Sequence, residues 1–266
     1  MPRMPASLRD SGVIAKRNLI NIKRNPDWLL EGTVQPIMFV LLFAFVFGGS
    51  LGGERYREFL IAGIFVQTVA FNSSFTVIGL ANDLQRGIVE RFRALPMSRV
   101  AVLLGRTSSD LAVSVLTVVI MSVCGLLVGW RLRGDFTDVV LAYLVLLLFS
   151  FAMSWVGAFI GLIARSVEVA QSAGLLWLFP VTFISSAFVS AEAMPTPLRV
   201  FAQWNPITVN ADLLRELFGN PVRVGMPAPT SWPAEHALLY AVGSSVLIVL
   251  IFVPLAVGRY RKVASR

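Results

Sequence analysis

Long apolar runs alternate with short, arginine-rich polar stretches along almost the whole chain. A helix that crosses a bilayer needs about 20 mostly apolar residues. Six windows meet that length: Gly32–Leu51, Glu58–Leu80, Ser109–Trp130, Asp138–Ala164, Gln171–Ser190 and His236–Val257. They predict an all-α, polytopic membrane protein with six transmembrane helices. The chain then divides into residues 1–31, an amphipathic N-terminal helix, residues 32–257, the six-span domain, and residues 258–266, a tail. Within the domain, residues 83–99 join spans two and three, and residues 191–235 form the long connection between spans five and six.

Three of the polar stretches have helical periodicity of their own. After Gly87, the residues Ile88, Phe92 and Leu95 recur at i, i+4 and i+7 and share one face of a short helix, which Pro96 stops. Glu90, Arg91 and Arg93 supply its polar surround. Such a helix either lies on the membrane surface or docks in the groove of a partner. Near the N-terminus, Leu8, Ala15, Leu19 and Ile22 form a moderate apolar stripe beside Arg9, Lys16, Arg17, Lys23 and Arg24, which suits a helix along the inner leaflet. In the 191–235 connection, Leu198, Phe201 and Ala202 form one apolar cluster, and Leu213, Leu214, Leu217 and Phe218 another. Asn205-Pro206 separates them, so two short helices returning toward the outer membrane surface are expected.

Composition agrees with a membrane chain: 56% of the 266 residues are hydrophobic and 14% charged, where soluble domains carry about 25% charge. A water-soluble globule, a disordered chain and a disulfide scaffold are excluded, and the lone Cys124 has no partner for an internal bridge. The net charge is +8, and its placement decides its meaning. Sixteen of the 23 Lys and Arg residues fall on the N-terminus, the turns after spans two and four, and the C-terminus. That asymmetry predicts cytoplasmic termini and a multi-pass protein of the cytoplasmic membrane, in contact with membrane lipids and not with nucleic acid. The first 30 residues hold six basic residues without an apolar core, so a cleavable signal peptide is not expected. Trp28, Tyr56, Trp130, Trp232 and Tyr260 fall at span ends and read as interface anchors.

Catalytic chemistry is not legible. None of the three lysines follows a glycine, so the phosphate-binding G-x-x-x-x-G-K-[ST] pattern is missing and the chain is not expected to be an ATPase or another enzyme. No metal-ligand cluster can be assembled, and His236 stands alone at a span end. Glu31, Asp83, Asp110 and Glu168 all read as lying at or near cytoplasmic span ends, which leaves the span centres uncharged and argues against an ion-gradient-driven secondary transporter.

The polar residues inside the spans are candidates for a substrate pathway or for bonds between helices. Thr68, Asn72 and Thr76 recur every four residues on span two, and Gln35, Ser185 and Ser186 are further members of this set. Gly125-x-x-x-Gly129 and Gly157-x-x-x-Gly161 allow close helix approach. Pro36 and Pro180 predict kinks in spans one and five.

In combination, three stretches resemble the transmembrane subunits of ABC type-2 exporters, specifically the daunorubicin-resistance-type permeases. They are Arg17–Pro26 leading to Gln35-Pro36 and Val46-Phe-Gly48; Gly87–Arg99 followed by Gly105-Arg106 and Asp110; and Phe188–Pro195 with Asn205-Pro206 and Asp212-Leu-Leu-Arg215. The resemblance implies a second permease, identical or paralogous, and two copies of a separate cytoplasmic ATPase that holds ATP and magnesium, with no cofactor on this chain. It implies that Gly87–Arg99 is the coupling helix (Gly87, Ile88, Glu90, Arg91, Phe92, Arg93, Leu95 and Pro96). The N-terminal helix with Lys16, Arg17, Lys23 and Arg24 would also meet the ATPase, and Thr196–Gly219 would form re-entrant outer helices. The expected cargo is an amphipathic drug or lipid-like molecule. A polysaccharide or glycoconjugate exporter remains the alternative, but it would need a wetter, aromatic-lined channel. An assembly scaffold without transport is a further rival.

Overall fold

The computed structural model describes residues 26–42, 45, 54–87, 99–220 and 231–263, all of whose regular elements are helical. In chain order these are α1 (Pro26–Leu41), α2 (Glu54–Gln85), α3 (Arg99–Leu127), α4 (Phe136–Ile163), α5 (Val167–Leu176), α6 (Leu178–Phe183), α7 (Thr196–Gln203), α8 (Pro206–Leu217), α9 (Trp232–Glu235) and α10 (Ala237–Val263). Among the described residues, four helices are long and apolar enough to cross a membrane: Tyr56–Gln85, Val100–Leu127, Phe136–Ile163 and Ala237–Lys262. They fall on four of the six sequence windows. The far half of the first window lies outside the described residues, and the fifth is occupied by the shorter apolar stretch Val167–Phe183.

Helix α2 is the axis of the bundle. In its most apolar window 83% of the residues are buried, against 11% for α10, which marks α10 as peripheral. Small residues bring α4 onto this axis: a Cβ on Gly157 would stand 2.4 Å from the Ser73 carbonyl oxygen, and one on Gly161 2.6 Å from that of Val77. The expected glycine packing on α4 is therefore present. The other pair is corrected: Gly125 faces Trp130 and Ile61, but Gly129 lies beyond the end of α3 with φ +100°, where a Cβ would meet no described atom within 4 Å. It is a turn residue, whose positive φ a glycine adopts at no steric cost.

Two apolar clusters mark the two ends of the bundle. One holds Leu60, Ile61, Phe65, Met121, Trp130, Phe149, Ala187, Ile207, Leu214 and Phe218. Above it Arg133 bonds Glu58 at 2.6 Å, and its backbone N–H donates to the Phe218 carbonyl at 2.9 Å. The other cluster holds Leu80, Leu103, Trp155, Leu162, Val257 and Tyr260, and there the Arg259 Nε donates to the Leu162 carbonyl. Trp130 and Tyr260 are 1% and 3% exposed. They are core residues, not interface anchors: the Trp130 ring makes edge contacts with Phe65 at 5.6 Å and with Phe218 at 5.2 Å.

Between α4 and α8 the chain recrosses the bundle. Ala170 packs with Val77 and Ala81, the Gly174 carbonyl accepts from the Ser74 hydroxyl, and Ala187 lies against Gly63, so α5 and α6 run antiparallel to α2 along its length. The Ser166 hydroxyl caps the start of α5 by accepting from Val169 N–H. The helix breaks at Trp177, three residues before Pro180, as the predicted kink requires. Pro36 lies inside α1 without ending it. The two short helices expected on either side of Asn205-Pro206 are α7 and α8, and Asn205 caps α8.

Candidate functional site

A cavity of roughly 140 Å³ opens between α1, α2 and α5. Gln35, Pro36 and Phe39 form one wall; Gln67, Thr68, Phe71, Asn72, Ser74, Phe75 and Ile78 form the second; Gln171 and Leu175 form the third. Among the described residues, no charged side chain lines it. The structure therefore brings together three of the sequence candidates, Gln35, Thr68 and Asn72. The reason is register: residues 67, 68, 71, 72, 75 and 78 of α2 recur at three- and four-residue steps and share one face.

The polar groups of this cavity fall into two kinds. Asn72 is engaged: its Nδ2 donates to the Ser114 hydroxyl at 3.2 Å, and Ser150 donates to the same oxygen at 2.8 Å. Gln67 and Thr68 are only 4% and 7% exposed, and their side chains make no hydrogen bond to any described residue. A buried polar group without a partner is costly unless a water or a ligand meets it. Here both face open space, and each amide or hydroxyl can give and accept a hydrogen bond.

An aromatic arc extends from the cavity toward the Glu58–Arg133 end. Phe71 meets Phe179 edge to face at 5.4 Å, Phe179 stacks on Phe183 at 5.8 Å, Phe183 on Phe188 at 5.5 Å, and Phe188 on Phe39 at 6.4 Å. Sequence reasoning expects a route lined mostly by Phe, Val, Ile and Leu, but not the closed arc of rings. Its signal was the four-residue step from Phe179 to Phe183, but closure through Phe188 depends on the turn after α6. The rings carry no hydroxyl, so the lining is apolar and adds no hydrogen-bonding groups.

The remaining pathway candidates lie elsewhere. Thr76 is fully buried between α2 and α3, where its hydroxyl donates to Asp110 at 2.7 Å. The Ser185 hydroxyl turns back onto the Thr182 carbonyl. Ser186 belongs to a second polar centre, which sequence reasoning missed. There Arg215, 3% exposed, donates to Asp212, to the Ser186 hydroxyl, and to the carbonyls of Phe59 (2.9 Å), Ser186 (2.7 Å) and Ala187 (3.3 Å). Its guanidinium also lies 3.6 Å from the centroid of the Phe59 ring. Burial pulls this group below the ordinary arginine pKa, and Asp212 pulls it back. The pair at i, i+3 was the available signal.

Two further expectations need statement. The coupling candidates Ile88, Glu90, Arg91, Phe92, Arg93, Leu95 and Pro96 and the N-terminal candidates Lys16, Arg17, Lys23 and Arg24 lie outside the described residues; only Gly87, in a turn with φ 64° just after α2, is placed. Asp110 is corrected. The helix that carries it starts at Arg99, ten residues before the predicted window, so Asp110 and Arg106 stand well inside α3 and face each other there.

Comparison with known proteins follows the same lines. A family model described as ABC-2 type transporter matches residues 10–218. A daunorubicin resistance ABC transporter permease protein, DrrB1, of Streptomyces coeruleorubidus is 31% identical over 247 residues, covering 92% of this chain and 83% of its own. A putative transport permease, ycf38, of Cyanophora paradoxa is 24% identical over 253 residues, covering 90% and 83%. A probable doxorubicin resistance ABC transporter permease protein, DrrC, of Mycobacterium tuberculosis is 21% identical and covers 99% of this chain and 95% of its own.

Proposed function

Because the chain belongs to the ABC-2 type transporter family, as a multi-pass membrane permease that is not itself catalytic, we propose that it forms the transmembrane passage of an ATP-driven exporter for an amphipathic drug or lipid-like molecule in the cytoplasmic membrane. The observation that carries this reading is the cavity between α1, α2 and α5, whose described lining holds no charge, with Gln67 and Thr68 facing its open space and Phe39, Phe71 and Phe75 in its walls. Apolar walls with a few convergent polar groups are the ordinary make-up of a small-molecule site. A neutral lining suits the apolar body of an amphipathic cargo, whose charged end, if it has one, stays hydrated at the cavity mouth, since a full charge inside would be desolvated without a counter-ion. Phe71, Phe179, Phe183, Phe188 and Phe39 extend the apolar surface from the cavity toward the outer end. The relatives named for daunorubicin and doxorubicin resistance support a drug-like cargo.

In this reading the chain has six spans, with α1 and its continuation as the first and α5 with α6 as the fifth. The antiparallel course of α5 and α6 along α2 supports the fifth crossing. The basic residues grouped on alternate flanks place both termini in the cytoplasm. The segment Gly87–Arg99 then faces the cytoplasm and docks, through Ile88, Phe92 and Leu95, with one of two ATPase subunits carrying ATP and magnesium. Glu90, Arg91 and Arg93 fix its seat, and Lys16, Arg17, Lys23 and Arg24 of the N-terminal helix make a second contact. A second permease, identical or paralogous, completes the passage, and α7 with α8 forms its re-entrant outer rim. ATP-driven closure of the ATPases pushes on the coupling segment and changes access to the cavity from the inner to the outer side.

The test is the complex itself. Tagged permease is purified from its native membrane with its partners, reconstituted in lipid, and assayed for ATP turnover with daunorubicin as the amphipathic probe. An ATPase is expected to co-purify, and the probe to raise its turnover. The Phe92→Ala, Arg93→Ala double variant is expected to insert normally and to lose that stimulation. Uphill movement of the probe by the purified chain alone, with no nucleotide, refutes the reading.

A further inference from the structure

The interface between α2 and α3 is divided. Toward the Glu58–Arg133 end it is apolar, with Ile61 against Gly125. Toward residues 88–98 it becomes a ladder of polar contacts at one-turn intervals. Asn72 bonds Ser114 at 3.2 Å; Thr76 bonds Asp110 at 2.7 Å; and Arg106, opposite Gly79, donates from Nε to Asp110 at 3.2 Å and from Nη2 to the Phe75 carbonyl at 3.0 Å. The α2 positions rise from 72 through 76 to 79 while the α3 positions fall from 114 through 110 to 106, as an antiparallel pair requires.

The last rung is built by a missing side chain. A Cβ on Gly79 would stand 2.1 Å from Arg106 Nη2 and 2.4 Å from its guanidinium carbon. A methyl group at 79 would therefore displace the guanidinium from the place where it reaches the Phe75 carbonyl of α2. Asp110 is held from both helices, by Thr76 of α2 and Arg106 of α3, and the Arg106 and Asp110 side chains are only 13% and 10% exposed. Apolar helix contacts are not directional and permit sliding, whereas hydrogen bonds at successive turns fix register.

We propose that Arg106, seated on Gly79 and held by Asp110, is a positioning residue for force transfer: it locks α2 and α3, the two helices that flank residues 88–98, into one rigid hairpin. A push on the connecting segment then moves both helices together instead of being lost as slip between them. This rests on the coupling role proposed above for that segment.

The experiment uses the permease–ATPase complex in lipid with Cys124 replaced by serine. Spin labels are placed on the exposed positions of Gln85→Cys and Ser108→Cys, one on each helix, and the distance is measured with and without ATP and vanadate. The parent complex is expected to give one narrow distance that nucleotide leaves unchanged. Gly79→Ala keeps both charges but puts a methyl group where the guanidinium lies, and Asp110→Asn keeps the shape but removes the counter-ion. Both are expected to retain the bound ATPase and its basal turnover. Each should broaden the label distance when nucleotide is added and lower permease-dependent stimulation by about fivefold or more, the scale of a typical coupling free energy. Arg106→Ala is expected to do the same, and Arg106→Lys, which keeps the charge without the fork, to be intermediate. A narrow, nucleotide-insensitive distance together with full stimulation in Gly79→Ala and Asp110→Asn overturns the proposal. If no ATPase accompanies the parent chain, it is the coupling reading that fails, and the label distance without nucleotide still reports whether the clamp holds.

Discussion

The carbonyl oxygen of Ala187 lies 1.8 Å from where a Cβ on Gly63 would stand. Backbone meets backbone at this point: the extended turn after α6 is pressed onto the first third of α2, and the other Ala187 atoms nearest that Cβ, at 2.6 Å and 2.8 Å, are also main chain. A flexible side chain could move aside, but this carbonyl is fixed by its neighbours, since Ala187 N–H is bonded to the Ser185 hydroxyl and the carbonyl itself accepts from Arg215.

Gly63→Ala is therefore expected to destabilise the protein by about 1–3 kcal/mol, the range for overpacking a well-filled interior. Gly63→Val should prevent accumulation of folded protein. Thermal unfolding of the purified chain in detergent, followed by tryptophan fluorescence, measures the first effect. Gly243→Ala, at an exposed position inside α10 where a Cβ meets no described atom within 4 Å, is the control and should hold or slightly raise the transition, since alanine is the better helix former.

Gln67 and Thr68 give a prediction with opposite signs for folding and for function. Both line the open cavity and make no hydrogen bond to a described residue, so replacing them with apolar residues of similar shape breaks no bond within the protein. Gln67→Leu and Thr68→Val are expected to hold or raise thermal stability while lowering the probe-stimulated turnover of the complex. Asn72→Leu, by contrast, takes the amide donor from the buried Ser114 hydroxyl, which keeps only its bond from Ser150, and should cost about 1–2 kcal/mol. Equal stability losses in all three variants would place Gln67 and Thr68 among the packing residues and remove them from the cargo site.

The contrast among these residues explains what the sequence made legible. Apolar run length located α2, α3, α4 and α10, because a bilayer imposes that length on any spanning helix. The Asn-Pro pair located the break between α7 and α8, because an asparagine cap and a proline in the first turn both belong at a helix start. Hydropathy failed wherever a charge was paired. The third window stopped at Ser109, yet the helix runs back to Arg99, since Arg106 and Asp110 neutralise each other on one face of it. Their i, i+4 spacing was the overlooked sign. Trp130 read as a surface anchor because it follows a span, and the turn at Gly129 instead folds it into the core beneath Phe218. The aromatic arc and the Arg215 centre join residues more than a hundred positions apart, and no local pattern encodes such meetings.

Asn205 offers a compact test of how the start of α8 is held to the end of α6. Its Oδ1 accepts from Ile207 N–H at 2.9 Å and caps α8, while its Nδ2 donates to the carbonyls of Val181 (2.6 Å) and Ile184 (2.9 Å) at the end of α6. Asn205→Asp keeps the cap and turns the amide donor into an acceptor facing two carbonyls. Asn205→Ala loses both functions, and the cap alone accounts for about 0.5–2 kcal/mol. Asp is nevertheless expected to be the worse replacement, because a buried carboxylate would confront two carbonyl oxygens. Lowering the pH should narrow the gap, since a protonated carboxyl regains a donor. Unfolding midpoints of the two variants, measured from pH 7 down to pH 5, decide the point.

Arg215 carries the largest single expected effect. Its donors satisfy the carbonyls of Phe59, Ser186 and Ala187, and its charge faces the Asp212 carboxylate, so three chain segments, α2, the turn after α6 and α8 itself, meet at one guanidinium. Arg215→Ala strands those acceptors and the buried side of Asp212, a loss of about 3–5 kcal/mol by analogy with other half-removed buried pairs. Arg215→Lys preserves the charge but not the planar fork and should recover only part of it. Asp212 is 31% exposed at its side chain, so Asp212→Asn costs less, because water reaches the vacated site. Limited proteolysis of the protein in detergent separates local from global effects. Cleavage between residues 184 and 190 should rise in Arg215→Ala before the bundle as a whole unfolds, because Gly63 and Phe59 hold that segment only while Arg215 bonds its carbonyls. Uniform cleavage across all connections would instead make Arg215 a general core residue with no particular hold on the turn after α6.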